Sequence, residues 1–353
     1  MKTKKVLITG SSGLIGAEAV KFFSDKHFDV YGIDNNMRAY FFGREGDTNR
    51  NKKFLQEKYQ NYHAYTFDIR DNKKLQQLFR TIPFDCIIHT AAQPSHDWSA
   101  REPVIDFTVN AEATLFLLEN CRKYCPHAVF IFTSTNKVYG SNPNTLPFVE
   151  QETRWELPEN HSWYHGIDET MSLDHTIHSP FGVSKTAADL MVQEYGKYFG
   201  LRTTVFRCGC LTGPMHSAAK LHGFLAYLIK CVKEGKEYTI IGYKGKQVRD
   251  NIHSVDLIGA FYEVYKRPKK GAVYNMGGSR HSNISVIEAV RKVESILGKK
   301  ASIRYIKKPR IGDHIWYVSD VGKFTREYPG WKYTYTMDDI IRDICFYHIK
   351  SAS

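Results

Sequence analysis

The sequence predicts an α/β fold: a doubly wound parallel sheet with a smaller C-terminal lobe. Three observations carry this. The chain opens with a short apolar strand, a glycine-rich turn and a helix. Apolar strands and helical stretches then alternate as far as Arg207, the pattern of repeated βαβ units. The 353 residues suffice for one large or two modest domains.

The elements follow in order. Lys5 to Thr9 (Lys-Val-Leu-Ile-Thr) is the first strand. Gly10-Ser-Ser-Gly13-Leu-Ile-Gly16 comes next, then a helix from about Ala17 to Ser24, and a second strand from Asp29 to Ile33 that ends at Asp34. A tight turn needs glycine, and so does close approach of backbone amides to a pyrophosphate. The helix N-terminus adds partial positive charge. The spacing Gly-x-x-Gly-x-x-Gly differs from the usual Gly-x-Gly-x-x-Gly. Its place between strand and helix, with an acid ending the next strand, still points to dinucleotide binding. Asp34 can accept hydrogen bonds from the adenosine ribose hydroxyls and would repel a 2′-phosphate, which favours NAD over NADP. Arg38 nearby could blunt that repulsion.

Asn35 to Tyr59 reads as a polar loop followed by a helix over the cofactor side. Tyr62 to Phe67 is a strand leading to Asp68, and Asp85 to Thr90 is a strand leading to Ala91-Ala92-Gln93. Phe107 to Tyr124 reads as one helix, Ala128 to Thr133 as a strand, Ser184 to Phe199 as a helix and Arg202 to Arg207 as a strand. Tyr139 to Ile177 is a long irregular insert, and loops of that length tend to be functional. Asp256 reads as a helix cap. Lys299 to Arg310 alternates as an amphipathic strand would. One segment is incomplete: Phe181-Gly182-Val183-Ser184-Lys185. With tyrosine first it would be Tyr-x-x-x-Lys, in which the ammonium stabilises phenolate so that the hydroxyl trades protons near neutral pH. Phe181 has the ring without the hydroxyl.

Composition narrows the partners. A net charge of +12 suits an anionic substrate, and the basic residues are spread along the chain rather than gathered into a nucleic-acid stripe. No run approaches the length of a membrane span and no secretory leader is visible. The seven cysteines contain no repeated Cys-x-x-Cys, and His161 and His165 lack a third ligand at useful spacing, so no metal is expected. An odd cysteine count without a leader suggests reduced thiols and a cytoplasmic protein.

In their order along the chain, these motifs resemble the extended short-chain dehydrogenase/reductase superfamily, the nucleotide-sugar epimerases and dehydratases. The glycine loop, Asp34, Asp68-Ile69, His89-Thr-Ala-Ala92, Asn110 and Ser134-Thr135-x-x-Val138-Tyr139-Gly140 carry the first half. The Lys185 segment, Arg207 to Pro214, Arg249 to Asp256, Tyr274-Asn-Met-Gly-Gly278 and Arg310-x-Gly-Asp313 carry the rest, so the resemblance covers nearly the whole chain. Within the superfamily the chain is similar to the CDP-paratose (CDP-tyvelose) 2-epimerase group. That similarity rests on Thr90-Ala-Ala-Gln-Pro-Ser-His-Asp97, Ser134-Thr-Asn-Lys-Val-Tyr-Gly140, Leu221-His-Gly-Phe224 and Gly242-Tyr-Lys-Gly-Lys-Gln-Val-Arg-Asp250.

The resemblance implies a Rossmann-type NAD-binding domain of residues 1–206 with 248–278, and a sugar-nucleotide-binding lobe of residues 207–247 with 279–353. It implies NAD as cofactor and a nucleotide-diphosphate sugar, with CDP favoured, as substrate. Epimerisation would proceed by transient oxidation to a keto sugar and hydride return. Implied cofactor contacts are Gly10, Ser12, Gly13, Leu14, Ile15 and Gly16, then Asp34, Asn35, Asn36 and Arg38, then Asp68 and Ile69. Thr90, Ala91, Ala92, Gln93, Asn110 and Thr133 follow, with Lys185 on the nicotinamide ribose. Implied substrate contacts are Gln93, Ser95, His96, Asn136, Lys137, His222 and Phe224, with Thr135 on the reacting oxygen. Arg249 and Arg310 match phosphate-binding arginines, with Asp313 beside them, and Lys244 and Lys246 add charge.

Two departures stand out. Cys210 replaces an asparagine that helps hold the diphosphate, and reads as a small buried residue. Phe181 occupies the position of the catalytic base. Three readings compete for it. Another group carries the proton: His96 or Asp97 after Gln93, or Tyr164, Asp168 or Glu169 in the insert. Or phenylalanine was substituted for a native tyrosine. Or the protein binds NAD and sugar nucleotide with little redox turnover. Asn136 after Thr135, in place of an Asp-Glu pair, argues against a dehydratase. Members of the superfamily are often homodimers that pair helices, which makes Ser184 to Phe199 and Phe107 to Tyr124 the expected interface.

Overall fold

The computed structural model describes residues 3–220, 222–310 and 312–350. Leu221, part of one motif above, lies outside them. Seven parallel strands form the main sheet: β1 (Lys5–Thr9), β2 (Asp29–Ile33), β3 (Tyr62–Tyr65), β4 (Cys86–His89), β5 (Val129–Thr135), β8 (Arg202–Cys208) and β12 (Ala272–Met276). Their order is β12-β8-β5-β4-β1-β2-β3, so the chain reverses its winding at β1. Ligands bind beyond the carboxyl ends of such strands at that switch point.

Both faces of the sheet are covered, which is why β1 and β4 read as unbroken apolar runs. One face packs on α1 (Leu14–Asp25), α3 (Asn49–Lys58), α10 (Ser254–Lys266) and α12 (Gly322–Glu327). The other packs on α4 (Asn72–Thr81), α7 (Ala113–Tyr124) and α8 (Pro180–Lys197). A buried ion pair ties the centre together. Asp189 on α8 takes two hydrogen bonds from Arg207 at 3.0 Å and a third from Ser134 at 2.7 Å. A third apolar core belongs to the smaller lobe. It joins α9 (Phe224–Glu234), α11 (Val286–Leu297), α13 (Met337–Lys350) and β10 (Glu237–Ile241), which pairs with β14 (Ser302–Ile306). Among the described residues no helix is long and apolar enough to cross a membrane.

Several expectations are corrected. Helix α1 begins at Leu14, immediately after Gly13, so the glycine loop itself carries the first helical turn. The stretch from Phe107 to Tyr124 is three elements: α6 (Pro103–Phe107), a wide π turn over Thr108–Glu112, and α7. The wide turn carries Asn110, whose amide donates to Gln93 O, Asp106 Oδ1 and Ser184 Oγ. Strand β14 forms, but all five residues are exposed because only β10 pairs with it and no layer covers it. Asp256 does not cap α10. His253 does, and the Asp256 carboxylate instead accepts from the amides of Thr334 and Tyr335 at 3.0 and 3.2 Å.

The lobes also interleave more than the implied division. β11 (Val248–His253) leaves the main sheet and joins β9 (Cys210–Thr212), β13 (Asn283–Ser285) and β15 (Trp316–Tyr317). Val321, Phe324, Tyr328 and Trp331 pack in the core under the main sheet. The insert after β5 folds over β15 and contains a short hairpin of β6 (Val149–Glu150) and β7 (Trp155–Glu156).

Candidate active site

A cavity of about 630 Å³ runs from the carboxyl ends of the main sheet into the smaller lobe. The glycine loop forms one end. Gly10 has φ of 69°, and a Cβ there would lie 2.8 Å from the Ala91 amide nitrogen. A Cβ on Gly16 would meet the Gly10 carbonyl at 2.0 Å, so Gly16 lets the helix seat against the turn. Gly13, Leu14 and Ile15 line the cavity at the N-terminus of α1, where no side chain caps the helix. That leaves its first amides and its dipole facing the space, a fit for a pyrophosphate.

Asp34 lies beside it. Its carboxylate accepts the Ser12 amide at 2.9 Å and the Asn36 amide at 2.7 Å. Burial raises its pKa, and those two amides oppose the rise. Asn35, Asp68, Ile69, Thr90, Ala91, Ala92 and Thr133 complete this end of the cavity. Arg38 also lines it but reaches across to the other lobe. It donates to Ser217 O at 2.8 Å and lies 3.2 Å from His222 Nδ1, with its guanidinium 4.8 Å above the Phe42 ring. Burial lowers its pKa to about 10.

Five implied cofactor contacts sit behind the wall rather than in it. Ser12 and Gly16 shape the loop from inside, and Asn36 folds its side chain onto Thr48. Gln93 and Asn110 are fully buried and hydrogen-bonded to each other and to Asp106. They brace the segment after β4 against α8. Gln93 is therefore absent from the lining at its implied substrate contact as well.

The middle of the cavity brings Thr135, Phe181, Lys185 and His96 together. Lys185 projects from the first turns of α8, whose N-cap is Ser179. Its ammonium donates to Thr133 O at 2.8 Å and lies 4.1 Å above the Phe132 ring. Burial lowers its pKa to about 8. Thr135 ends β5, and its hydroxyl accepts the Lys137 amide at 3.2 Å. Phe181 packs edge-to-face on the His96 ring, centroid to centroid 5.0 Å. His96 begins α5 (His96–Arg101).

Past these residues the cavity turns cationic. Lys137 donates to Gly312 O at 2.9 Å, and Arg249 donates to Asp313 Oδ1 at 2.7 Å. Burial lowers the Lys137 pKa to about 8, against the pull of Asp313. Burial alone would raise the Asp313 carboxyl, but Arg249, Lys137 and Arg310 outweigh it and hold it below the usual range. Ser95, Asn136, Arg310, His222 and Phe224 line the same region. Cys210 lines it too, half-buried rather than sealed in the core as expected, with its thiol pushed up to about 11 by burial.

The remaining candidates lie elsewhere. Asp97 is not among the lining residues; its carboxylate pairs with Arg310, which is. Tyr164 packs under the Arg280 guanidinium, 4.1 Å from ring to charge, in the core of the insert. Asp168 closes its own turn by accepting the Thr170 amide at 3.0 Å, and Glu169 accepts the Asn275 amide at 2.5 Å. Lys244 and Lys246 bond Glu150 on the hairpin, so their charge is spent outside the cavity. Sequence reasoning missed His216, Tyr227, Tyr238 and Arg304, which line the far end. They come from the segment after β9, from α9, β10 and β14, and no local motif marks them.

The profile of the NAD dependent epimerase/dehydratase family matches residues 6–277. The chain is 32% identical over 329 residues to CDP-paratose 2-epimerase of Salmonella typhi, covering 91% of this chain and 92% of that one. It is 30% identical over 371 residues to dTDP-glucose 4,6-dehydratase of Salmonella typhimurium, covering 99% and 93%. The structure of UDP-glucose 4-epimerase from Thermotoga maritima with UDP-glucose superimposes with a TM-score of 0.80 at 25% identity, covering 99% of this chain and 100% of that one.

Proposed function

The chain belongs to the NAD dependent epimerase/dehydratase family, and on that premise we propose that it epimerises a nucleotide-diphosphate sugar, preferably a CDP-sugar, with NAD. The observation that carries this is one continuous cavity. It joins a dinucleotide cradle to the Thr135–Lys185 pair and then to Lys137, Arg249 and Arg310. Bound NAD⁺ supplies a hydride acceptor that can also return the hydride. The chain does the rest. The glycine loop and the α1 N-terminus hold the pyrophosphate, Asp34 holds the adenosine ribose, and Lys185 holds the nicotinamide ribose. Lys137, Arg249 and Arg310 offset the charge of the sugar diphosphate, where guanidinium suits two oxygens at once. Thr135 positions the reacting hydroxyl. The CDP preference is supported by the named relative at 32% identity.

A dehydratase is the enzymatic alternative. Lys137, part-buried near Arg249 and Arg310 where that chemistry wants an acid, weighs against it. A protein that binds NAD and sugar nucleotide without turnover is favoured by a single observation, the hydroxyl-free ring of Phe181 in the cavity wall.

The deciding measurement is NMR of the anomeric region during incubation with CDP-, UDP- and GDP-sugars in normal and deuterated water. Interconversion without solvent deuterium at the epimerised carbon is expected. Deuterium at that carbon excludes direct hydride return. Loss of water to a keto-deoxy sugar selects the dehydratase, and tight NAD retention without turnover selects the binding protein.

A further inference from the structure

We propose that His96, oriented by Ser179, exchanges the proton of the reacting sugar hydroxyl in place of the phenol that Phe181 lacks. The proposal rests on the epimerase reading above. Four observations carry it. His96 lines the same cavity as Thr135, Phe181 and Lys185. Its ring packs edge-to-face on Phe181 at 5.0 Å, so an imidazole stands beside the place a phenol would fill. Its Nδ1 lies 2.6 Å from Ser179 Oγ. Its Nε2 is enclosed and has no hydrogen-bond partner among the described residues.

Ser179 explains the orientation. It is the N-cap of α8, and its hydroxyl oxygen accepts the Gly182 amide at 3.2 Å. Its second lone pair can take a hydrogen from His96 Nδ1. That tautomer leaves the Nε2 lone pair unused. The ring is thus held by the same helix turn that bears Phe181 and Lys185. A buried polar nitrogen without a partner is rare and calls for a ligand or a function.

The charged groups around His96 are Lys137 on the turn after β5, Arg310 and Asp313 on the loop after β14, and Asp97 on its own helix. Burial, then Lys137 and Arg310, lower the His96 pKa to about 3, so the free protein holds it neutral. A sugar diphosphate seated on Lys137 and Arg310 offsets the charge part of that shift, the part smaller than burial, and so makes Nε2 more basic than in the free protein. In the forward half-reaction the hydroxyl proton passes to Nε2 and the C–H electron pair leaves as hydride to bound NAD⁺, forming the carbonyl. In the return half-reaction hydride re-enters on the opposite face and Nε2 gives its proton back to the oxygen. The sugar is oxidised and then reduced, with no net redox change. His96 is the catalytic group in this scheme and Ser179 a positioning residue.

The test uses the NAD-loaded full chain and four variants: His96→Asn, Ser179→Ala, Phe181→Tyr and the double variant His96→Asn with Phe181→Tyr. His96→Asn should lower kcat by about 10²-fold or more, with NAD content unchanged. Adding Phe181→Tyr to it should restore turnover. Ser179→Ala should lower kcat about tenfold with little change in KM, the mark of misorientation rather than lost binding. Wild-type turnover in His96→Asn, or no rescue by tyrosine, overturns the proposal. A second readout needs no turnover: the ¹⁵N spectrum of the His96 ring. An unprotonated Nε2 whose resonance moves when CDP is added is expected, and a tautomer mixture is expected in Ser179→Ala. A protonated Nε2 that ignores CDP overturns the proposal. If the wild type converts no sugar, the epimerase reading fails, while this spectrum still decides the role of His96.

Discussion

Lys185 shows how much one side chain can be asked to do. It is buried, its ammonium held by one carbonyl and one ring face. In that setting a bound ribose hydroxyl is its natural further partner. A hydrogen bond to a charged group contributes about 1.5–3 kcal/mol. Lys185→Met should therefore weaken NAD retention roughly tenfold to hundredfold, measured by equilibrium dialysis with circular dichroism as the check on folding. Unchanged retention would remove Lys185 from the cofactor site. Lys185, Thr135, Arg249 and the glycine loop were named from the sequence because each sits in a motif that carries the family resemblance, and all of them line the cavity. Among five candidates, His96 and Asp97 stood out in the sequence only because they follow Ala91-Ala92. Choosing His96 over Tyr164, Asp168 and Glu169 needed a contact between positions 83 residues apart, His96 with Ser179.

Helices α6 and α8 pack on each other and leave an apolar stripe outside. Val104, Phe107, Val183 and Leu190 are each about half exposed or more. Val183 and Leu190 are seven positions apart on α8 and so share a face. A patch of this kind fits a second copy of the chain, and we propose that a homodimer covers it. Leu190→Glu should shift sedimentation from dimer to monomer with the NAD site intact. A wild-type monomer at micromolar concentration would rule the dimer out. At this scale the sequence misjudged one helix. The π turn at Thr108–Glu112 interrupts the expected Phe107–Tyr124 helix. Its cause is a side-chain network around Asn110 that joins three separate segments, and no helical periodicity can reveal that.

The whole molecule carries an acid-labile signature. Burial is the first cause that lowers the pKa of His89, His96 and His216, each to about 3, and it lowers His222 and His314 as well. The unfolded chain takes up protons on these rings below about pH 6.5, while the folded chain does not. More protons bind the unfolded state, so stability rises with pH in this window and is lost as pH falls below it. Each such histidine contributes about 1.4 kcal/mol per pH unit there. The melting temperature should begin to fall between pH 6.5 and 5, above the range where free carboxylates titrate. A melting temperature flat to pH 4.5 would show that these rings titrate normally.

By itself the sequence determined the α/β class and the glycine turn at the N-terminus of α1, because one βαβ unit holds everything that feature requires. Positive φ at Gly10, a free helix N-terminus and Asp34 are local consequences of some thirty adjacent residues. It also placed a phenylalanine, Phe181, four positions before Lys185. Tertiary structure alone decided which groups share the cavity with that ring. Lys137, Arg249, Arg310 and His96 come from four distant segments, and their meeting depends on β11 leaving the main sheet and on α8 docking against α5. Burial and mutual charge, which set what those groups can do with a proton, exist only once that packing is complete.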